Sequence, residues 1–274
     1  MLVNLNQIFK EYPDKCIAAF NVFGYEDSVA VIRAAESLKV PVVLMANKVA
    51  VSHMPIPVLA SFMTKMAQMS HVPVCVHLDH SENVEDIICA IESGFTSVMF
   101  DGSQLPFEKN ACLTRSVVEI AHPSNVSVEA EIGSVGYTDP SIFAENVYTE
   151  PKEALQFYEE THADAIAVSV GTIHRQTIQN AQIQYDRLDN IRNTVDVPLV
   201  IHGSSSVKDN DLTLLAHHGV KKINLGTCLR MVFGNTLRKV ISEEPNIFDR
   251  IEMFKKCIPA VEEEAANKIK LLNA

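Results

Sequence analysis

What the chain lacks narrows its class before anything it contains. No stretch of about 18 consecutive apolar residues occurs, so no membrane-spanning helix is expected. No basic run occurs, and the formal net charge is −11. An acidic chain without a cationic patch is repelled by phosphate backbones and anionic lipid, so neither nucleic acid nor a membrane is an expected partner. Met1 to Lys15 show no charged segment leading into an apolar one, so no signal peptide is expected. The six cysteines (16, 75, 89, 112, 228 and 257) form no CxxC pair. Cys16 and Cys75 sit in apolar strand-like runs and read as small buried hydrophobes in a reduced, cytoplasmic setting. No linker, low-complexity tract or composition shift interrupts the chain, and one domain over 1–274 is expected. No GxGxxG follows the first strand, which removes the usual dinucleotide-binding signature.

What is present is an alternation. Short apolar runs at 16–22, 41–47, 73–79, 97–101, 127–132, 165–170, 198–203 and 221–225 read as eight strands. Amphipathic stretches such as DSVAVIRAAESLK and NVEDIICAIESG lie between them, with apolar residues recurring at helical spacing. Three strands open alike, at Val40-Pro41, Val72-Pro73 and Val197-Pro198, and proline is tolerated at a strand's first residue. Eight strand–helix units in this length fit an α/β fold closed as a (β/α)8 TIM barrel. Cys228 to Ala274 reads as a C-terminal helical extension.

Active sites of such barrels lie at the C-terminal strand ends. Those ends carry Asn21, Asn47, Asp79 with His80, Asp101, Glu129 with Glu131, His174, His202, and Asn224 with Thr227. Catalytic zinc takes three protein ligands and keeps one position open, a need that His80, His174 and His202 match. His77 shares the strand parity of Asp79 and is expected to be a hydrogen-bonded residue inside the barrel. Asp79 either orients a histidine or acts as a general acid/base. Glu129 and Glu131 share one face and fit ligands, partners of ligands or an internal ion pair. Asp101 fits a site carboxylate or a turn or helix cap. The loops HGSSS (202–206) and NLGT (224–227), after strands seven and eight, stand where such barrels bind phosphate. Gly203, Ser204, Ser205, Gly226 and Thr227 are the candidates there.

These stretches together resemble the class II, zinc-dependent ketose-bisphosphate aldolases, the fructose- and tagatose-bisphosphate aldolase family. The similarity runs through AFNV, VHLDH at 76–80, FTSVMFDGSQLPFEKN at 95–110, VSVEAEIG at 126–133, DAIAVSVGTIH ending at 174, PLVIHG at 198–203 and KINLGT at 222–227. The resemblance implies reversible cleavage of a phosphorylated ketose to dihydroxyacetone phosphate and an aldehyde through a zinc-stabilised enediolate. It implies one zinc ion per subunit on His80, His174 and His202, accompanied in some cases by a monovalent cation, and a homo-oligomer, dimer or tetramer. Asp79 matches the catalytic aspartate, Glu131 an acid close to the metal, and Asn224 the asparagine at the dihydroxyacetone phosphate unit. Gly203, Ser205 and Thr227 match phosphate-binding positions. The only lysines within the strands open the eighth, Lys221-Lys222, which argues against a Schiff-base route.

Departures from the family pattern cluster at the phosphate end. Arg175 replaces the usual glycine after the second metal histidine, and it is expected to meet a phosphate or carboxylate. Ser204 and Ser206 enter the usual HGGSG or HGASG loop; a positive φ at Ser206 would cost about 1–2 kcal/mol. Cys228 stands in place of an acid, and 136–148 lacks the usual GG-x-E-D stretch. Two other classes remain. A zinc hydrolase on the same barrel would favour an HxH pair ending the first strand, which AAFNVFG lacks. A non-catalytic sugar-phosphate-binding relative fits the altered loops but has no need of Asp79 beside three intact histidines.

Overall fold

The computed structural model describes residues 1–136, 147–176 and 178–274. Most of the stretch lacking GG-x-E-D, residues 137–146, lies outside the described residues, as does Thr177. The strands are β1 (Leu2–Val3), β2 (Ile17–Asn21), β3 (Val42–Ala46), β4 (Val74–Ser81), β5 (Ser97–Phe100), β6 (Ser127–Ile132), β7 (Ala165–Val168), β8 (Leu199–Ile201) and β9 (Lys222–Leu225). The helices are α1 (Leu5–Glu11), α2 (Tyr25–Leu38), α3 (Lys48–His53), α4 (Ile56–Met69), α5 (Val84–Ser93), α6 (Phe107–Ala121), α7 (Pro151–Thr161), α8 (Tyr185–Thr194), α9 (Asp209–His217), α10 (Thr227–Glu243), α11 (Arg250–Lys255) and α12 (Ile258–Leu272). Strands β2 to β9 pair in chain order, all parallel, and β9 pairs back onto β2. The sheet is therefore closed, and the fold is the expected (β/α)8 barrel.

Side-chain alternation divides the strands between two cores. Val74, Val76 and Leu78 of β4 face outward under the helices. Cys75 faces inward with Ile17, Ala19, Met45, Ala167 and Val200. Both strand faces are buried, which is why the strands read as near-continuous apolar runs. The floor of the interior is closed by α1, whose Leu5 and Ile8 join the inward cluster. The start of this plug is marked in the sequence by its capping residues. Asn4 Oδ1 accepts from Gln7 N at 2.9 Å and Gln7 Oε1 accepts from Asn4 N at 2.8 Å, a reciprocal cap. β1 pairs with β4 at Val74 and Cys75, below the level at which β5 joins β4 at His77.

Three helices follow β9, but they do not simply trail from the barrel. α12 packs on α2 and β2 and so completes the outer ring. α10 and α11 lie before it in the chain. α10 runs 17 residues and buries only Leu229 and Val240 among them, so its position bears on the mouth of the barrel rather than its core.

Candidate active site

The upper interior changes from apolar to ionic, beginning on β4. Asp79 and His80 are adjacent, and strict alternation would send them to opposite faces. The register with β5 shifts between Leu78 and Ser81, and His80 takes φ +54. This bulge turns its imidazole back toward the mouth. Such a left-handed non-glycine residue costs on the order of 1–3 kcal/mol and persists only where its surroundings hold it. Here Asp101 Oδ2 lies 2.7 Å from His80 Nδ1. Asp101 in turn accepts from Ser103 Oγ at 2.7 Å and Ser103 N at 3.2 Å. Burial opposes charge on Asp101, but His80 and Ser103 outweigh it and hold its carboxyl below the usual range. Asp101 thus braces a histidine ring and caps its own turn.

A buried chain of polar contacts then crosses the barrel. Glu129 Oε1 lies 2.9 Å from His202 Nε2, and Glu129 Oε2 accepts from Lys222 Nζ at 2.8 Å. Lys222 Nζ also donates to Asn224 Oδ1 at 2.6 Å. Asn224 Nδ2 donates to Asp79 Oδ1, and Asn21 Nδ2 to Asp79 Oδ2, both at 3.0 Å. Lys222, Glu129 and His202 have no solvent exposure at all. Buried charges are tolerated only when paired in this way. Burial works against ionised Asp79, but His80, His202, Lys222 and His77 outweigh it and hold the carboxyl low. His77 lies inside the barrel as expected, its Nδ1 2.8 Å from Ser97 Oγ, and burial pushes its imidazole down to about 3.

The three candidate ligand histidines meet above this chain. Their rings stand 5.0 Å (His80–His174), 4.5 Å (His80–His202) and 6.1 Å (His174–His202) apart between centroids. One nitrogen from each lies within 4.8 Å of the others. Two atoms beside them support a cation there. His202 Nδ1 and Glu131 Oε2 are buried 3.2 Å apart, and among the described residues neither atom has a hydrogen-bond partner. Burial disfavours charge on His202, but Glu129 and Glu131 outweigh it, pushing the imidazole up to about 10. The space between these carboxylates calls for positive charge, which a proton or a divalent ion can supply. His174, by contrast, is held well below its ordinary value by burial and by His80 and His202, and so is a neutral donor. The donor set fits a three-histidine metal site with Glu131 beside it. His80, Asp101 and Glu131 form an overlapping second set.

The late loops meet beside the histidines because Gly203 allows it. Gly203 takes φ +67, and a Cβ there would come 2.9 Å from the Ile173 backbone, so the β8 loop can pass directly under the loop carrying His174. The serines sew these loops together. Ser204 Oγ donates to Asn224 O, Ser205 Oγ accepts from Gln176 N at 3.1 Å, and Ser206 Oγ accepts from Ile173 N at 2.9 Å. Ser206 is not among the residues with positive φ, so the strain considered for it does not arise. The left-handed residue is Arg175, with φ +55, where glycine would relieve on the order of 1–2 kcal/mol. Cys228 is no substitute for an acid: burial and the nearby Glu264 push its thiol up to about 12.

All the residues singled out from sequence converge. Asp79, His80, His174, Arg175, Asn224 and Thr227 line one mouth, and Gly203, Ser204, Ser205 and Gly226 edge the same opening. His202 and Glu131 lie just beneath, closed off from solvent. Three further residues escaped the sequence reading. Lys222 was noted only for its place in the chain, though lysine on the inward parity of a barrel strand is itself a signal. Phe23 and Arg230 reach the mouth from the β2 loop and from α10, with the guanidinium carbon 5.2 Å from the ring centroid. Loop and helix positions of this kind carry no periodic signature.

Known proteins match the chain over nearly its whole length. The family model of class-II fructose-bisphosphate aldolase matches residues 3–274. The solved structure of the YdjI aldolase from Escherichia coli K12 is 32% identical, covers 99% of this chain and 97% of its own, and superposes with a TM-score of 0.84. The fructose-bisphosphate aldolase Fba from Campylobacter jejuni, at 20% identity, covers 99% of this chain and 95% of its own with a TM-score of 0.84. That second likeness carries the fold alone.

Proposed function

Because the chain belongs to the class-II fructose-bisphosphate aldolase family, we propose that it is a metal-dependent lyase that cleaves a phosphorylated ketose to dihydroxyacetone phosphate and an aldehyde. The observation that carries this reading is the placement of Asp79, held by two amide donors, beside three converging histidine nitrogens. His80, His174 and His202 would hold the ion, zinc by family habit, with Glu131 adjacent. A divalent ion there supplies the Lewis-acid charge that a carbanion next to a carbonyl requires. Asp79 takes the hydroxyl proton as the carbon–carbon bond breaks and returns it to the aldehyde oxygen in the reverse direction. Asn224, pinned by Lys222, orients Asp79 and presents its amide to the three-carbon unit. The hydroxyls of Ser204 and Ser205 are engaged by backbone, which leaves phosphate binding at that loop to main-chain groups.

The reading is tested by deuterium exchange at the reactive carbon of dihydroxyacetone phosphate in heavy water. Exchange is expected from the metal-loaded protein, abolished by a chelator and restored by zinc. Absence of exchange from metal-loaded protein would remove dihydroxyacetone phosphate as the donor.

Arg175, which lines the mouth, is proposed to contact the ketose phosphate as a bidentate donor. Arg175→Gly relieves the left-handed strain and removes that contact. The expected result is a higher Tm together with a KM for the ketose raised on the order of tenfold, since charged hydrogen bonds contribute about 1.5–3 kcal/mol. Unchanged KM in steady-state cleavage would show that Arg175 points elsewhere.

A further inference from the structure

Four carboxylates surround the three histidines. Asp79 and Asp101 stand beside His80, and Glu129 and Glu131 beside His202. A divalent ion answers two of those charges, and the Lys222 ammonium, bound to Glu129, answers a third. Lys222 has no solvent exposure, so its charge acts in a low dielectric and is little screened.

The histidines are backed differently. Asp101 Oδ2 lies 2.7 Å from His80 Nδ1, and the groups that hold this carboxylate in turn are neutral, the hydroxyl and amide of Ser103. Glu129 Oε1 lies 2.9 Å from His202 Nε2, but its other oxygen accepts from the Lys222 ammonium at 2.8 Å. With Nε2 taken, Nδ1 is the nitrogen that His202 has left for an ion, and it has no hydrogen-bond partner among the described residues. A carboxylate on the far nitrogen of a ligand histidine orients the ring and makes it a stronger donor. An ammonium on that carboxylate draws charge back from the ring. The row from Lys222 through Glu129 to His202 therefore carries a brake that the row from Asp101 to His80 lacks.

Resting on the metal-dependent reading above, we propose that Lys222 is a positioning residue for the ion. Acting through Glu129, it lowers the donor strength of His202. The ion is then held more loosely, and stays a stronger Lewis acid, than three histidines among four carboxylates would otherwise make it. Ligands that supply less charge leave the ion more to draw from a carbonyl. The same ammonium donates to Asn224 Oδ1 at 2.6 Å, and Asn224 donates to Asp79. One buried side chain thus serves both the metal ligand and the acid/base.

The test is a cycle of metal binding read without turnover. Metal-free native protein, Lys222→Met, Glu129→Gln and the double variant are titrated with zinc against a chelating dye. Cobalt(II) is then bound to each in place of zinc for its visible absorption. Glu129→Gln is expected to weaken zinc binding by about 10–100-fold, the usual effect of losing such a carboxylate. Lys222→Met is expected to tighten it by on the order of tenfold, and to move the cobalt bands to shorter wavelength, opposite to Glu129→Gln. In the Glu129→Gln background, Lys222→Met is expected to change neither affinity nor bands. Equal tightening in both backgrounds would mean that the ammonium acts on the ion directly through space, and overturns the route through Glu129. Affinity and bands left unmoved by Lys222→Met, or weakened binding in that variant, overturn the proposal outright. Should Lys222→Met not fold, Lys222→Gln, which keeps a hydrogen-bond donor without the charge, carries the same expectations. Native protein that takes up neither zinc nor cobalt brings down the metal-dependent reading itself. Native uptake with unmoved variants brings down only the role of Lys222.

Discussion

Asp79→Asn should lower ketose cleavage by about 10²–10⁴-fold, the usual contribution of a positioned acid/base, while leaving the metal content unchanged. The substitution is isosteric, and the surroundings can absorb it. Both Asp79 oxygens accept amide hydrogens, from Asn21 and Asn224, so the new amide nitrogen needs an acceptor. Asn224 cannot turn to provide one, because Lys222 holds its Oδ1. Asn21 can: its Oδ1 is buried without a partner among the described residues, and a flip of its amide offers that oxygen to the new donor. The fold should therefore survive with little loss of Tm. The discriminating measurement is the pair of reactions. Cleavage moves a proton at the aldehyde oxygen, the role proposed for Asp79, whereas deuterium exchange into dihydroxyacetone phosphate does not involve that oxygen. Cleavage is expected to collapse with exchange largely kept. Parallel loss of both would make Asp79 a positioning residue for the metal or the three-carbon unit rather than the acid/base.

How far the sequence reached follows from what each feature depends on. The barrel was legible because eight strands buried on two faces must be apolar at nearly every position, and the helices between them must be apolar on one. The converging histidines were legible because closed topology alone puts the strand ends in one place. The bulge at His80 was not, since the register shift after Leu78 depends on how β5 meets β4 and not on local composition. The status of Glu129 and Glu131 was also closed to sequence. The same spacing serves a lysine partner or a place beside a histidine ligand, and only the depth of Lys222 in the interior assigns Glu129 to the first and leaves Glu131 against His202. Strain was sought at Ser206 and lies at Arg175, because φ is set by how two loops cross. The approach of Arg230 to Phe23 depends on where α10 settles, and a helix that buries so few residues offers little pattern to read.

Lys222→Met should destabilise the protein by about 3–5 kcal/mol, the cost of leaving one member of a buried ion pair without its partner. At about 2–4 °C per kcal/mol for a chain of this class, that is a fall in Tm on the order of 10 °C. The reason lies in Glu129. Burial alone would drive its carboxyl to the neutral form, and Lys222, then His202 and His77, hold it ionised. Without Lys222 the carboxylate must either take up a proton or stay charged against His202 alone. Glu129→Gln in the same background removes that charge, and methionine fills much of the lysine volume, so the double variant should regain much of the lost Tm. Activity should not return with stability. Lys222 also fixes Asn224, and an Asn224 amide free to turn no longer holds Asp79 on its donor side. The double variant is thus expected to fold well and to retain low kcat with the KM for the ketose less affected. A double-mutant cycle in Tm and in kcat separates the two roles. Should the double variant recover kcat along with Tm, the contact from Lys222 to Asn224 would matter only to the stability of the barrel, and the orientation of Asp79 would have to come from Asn21.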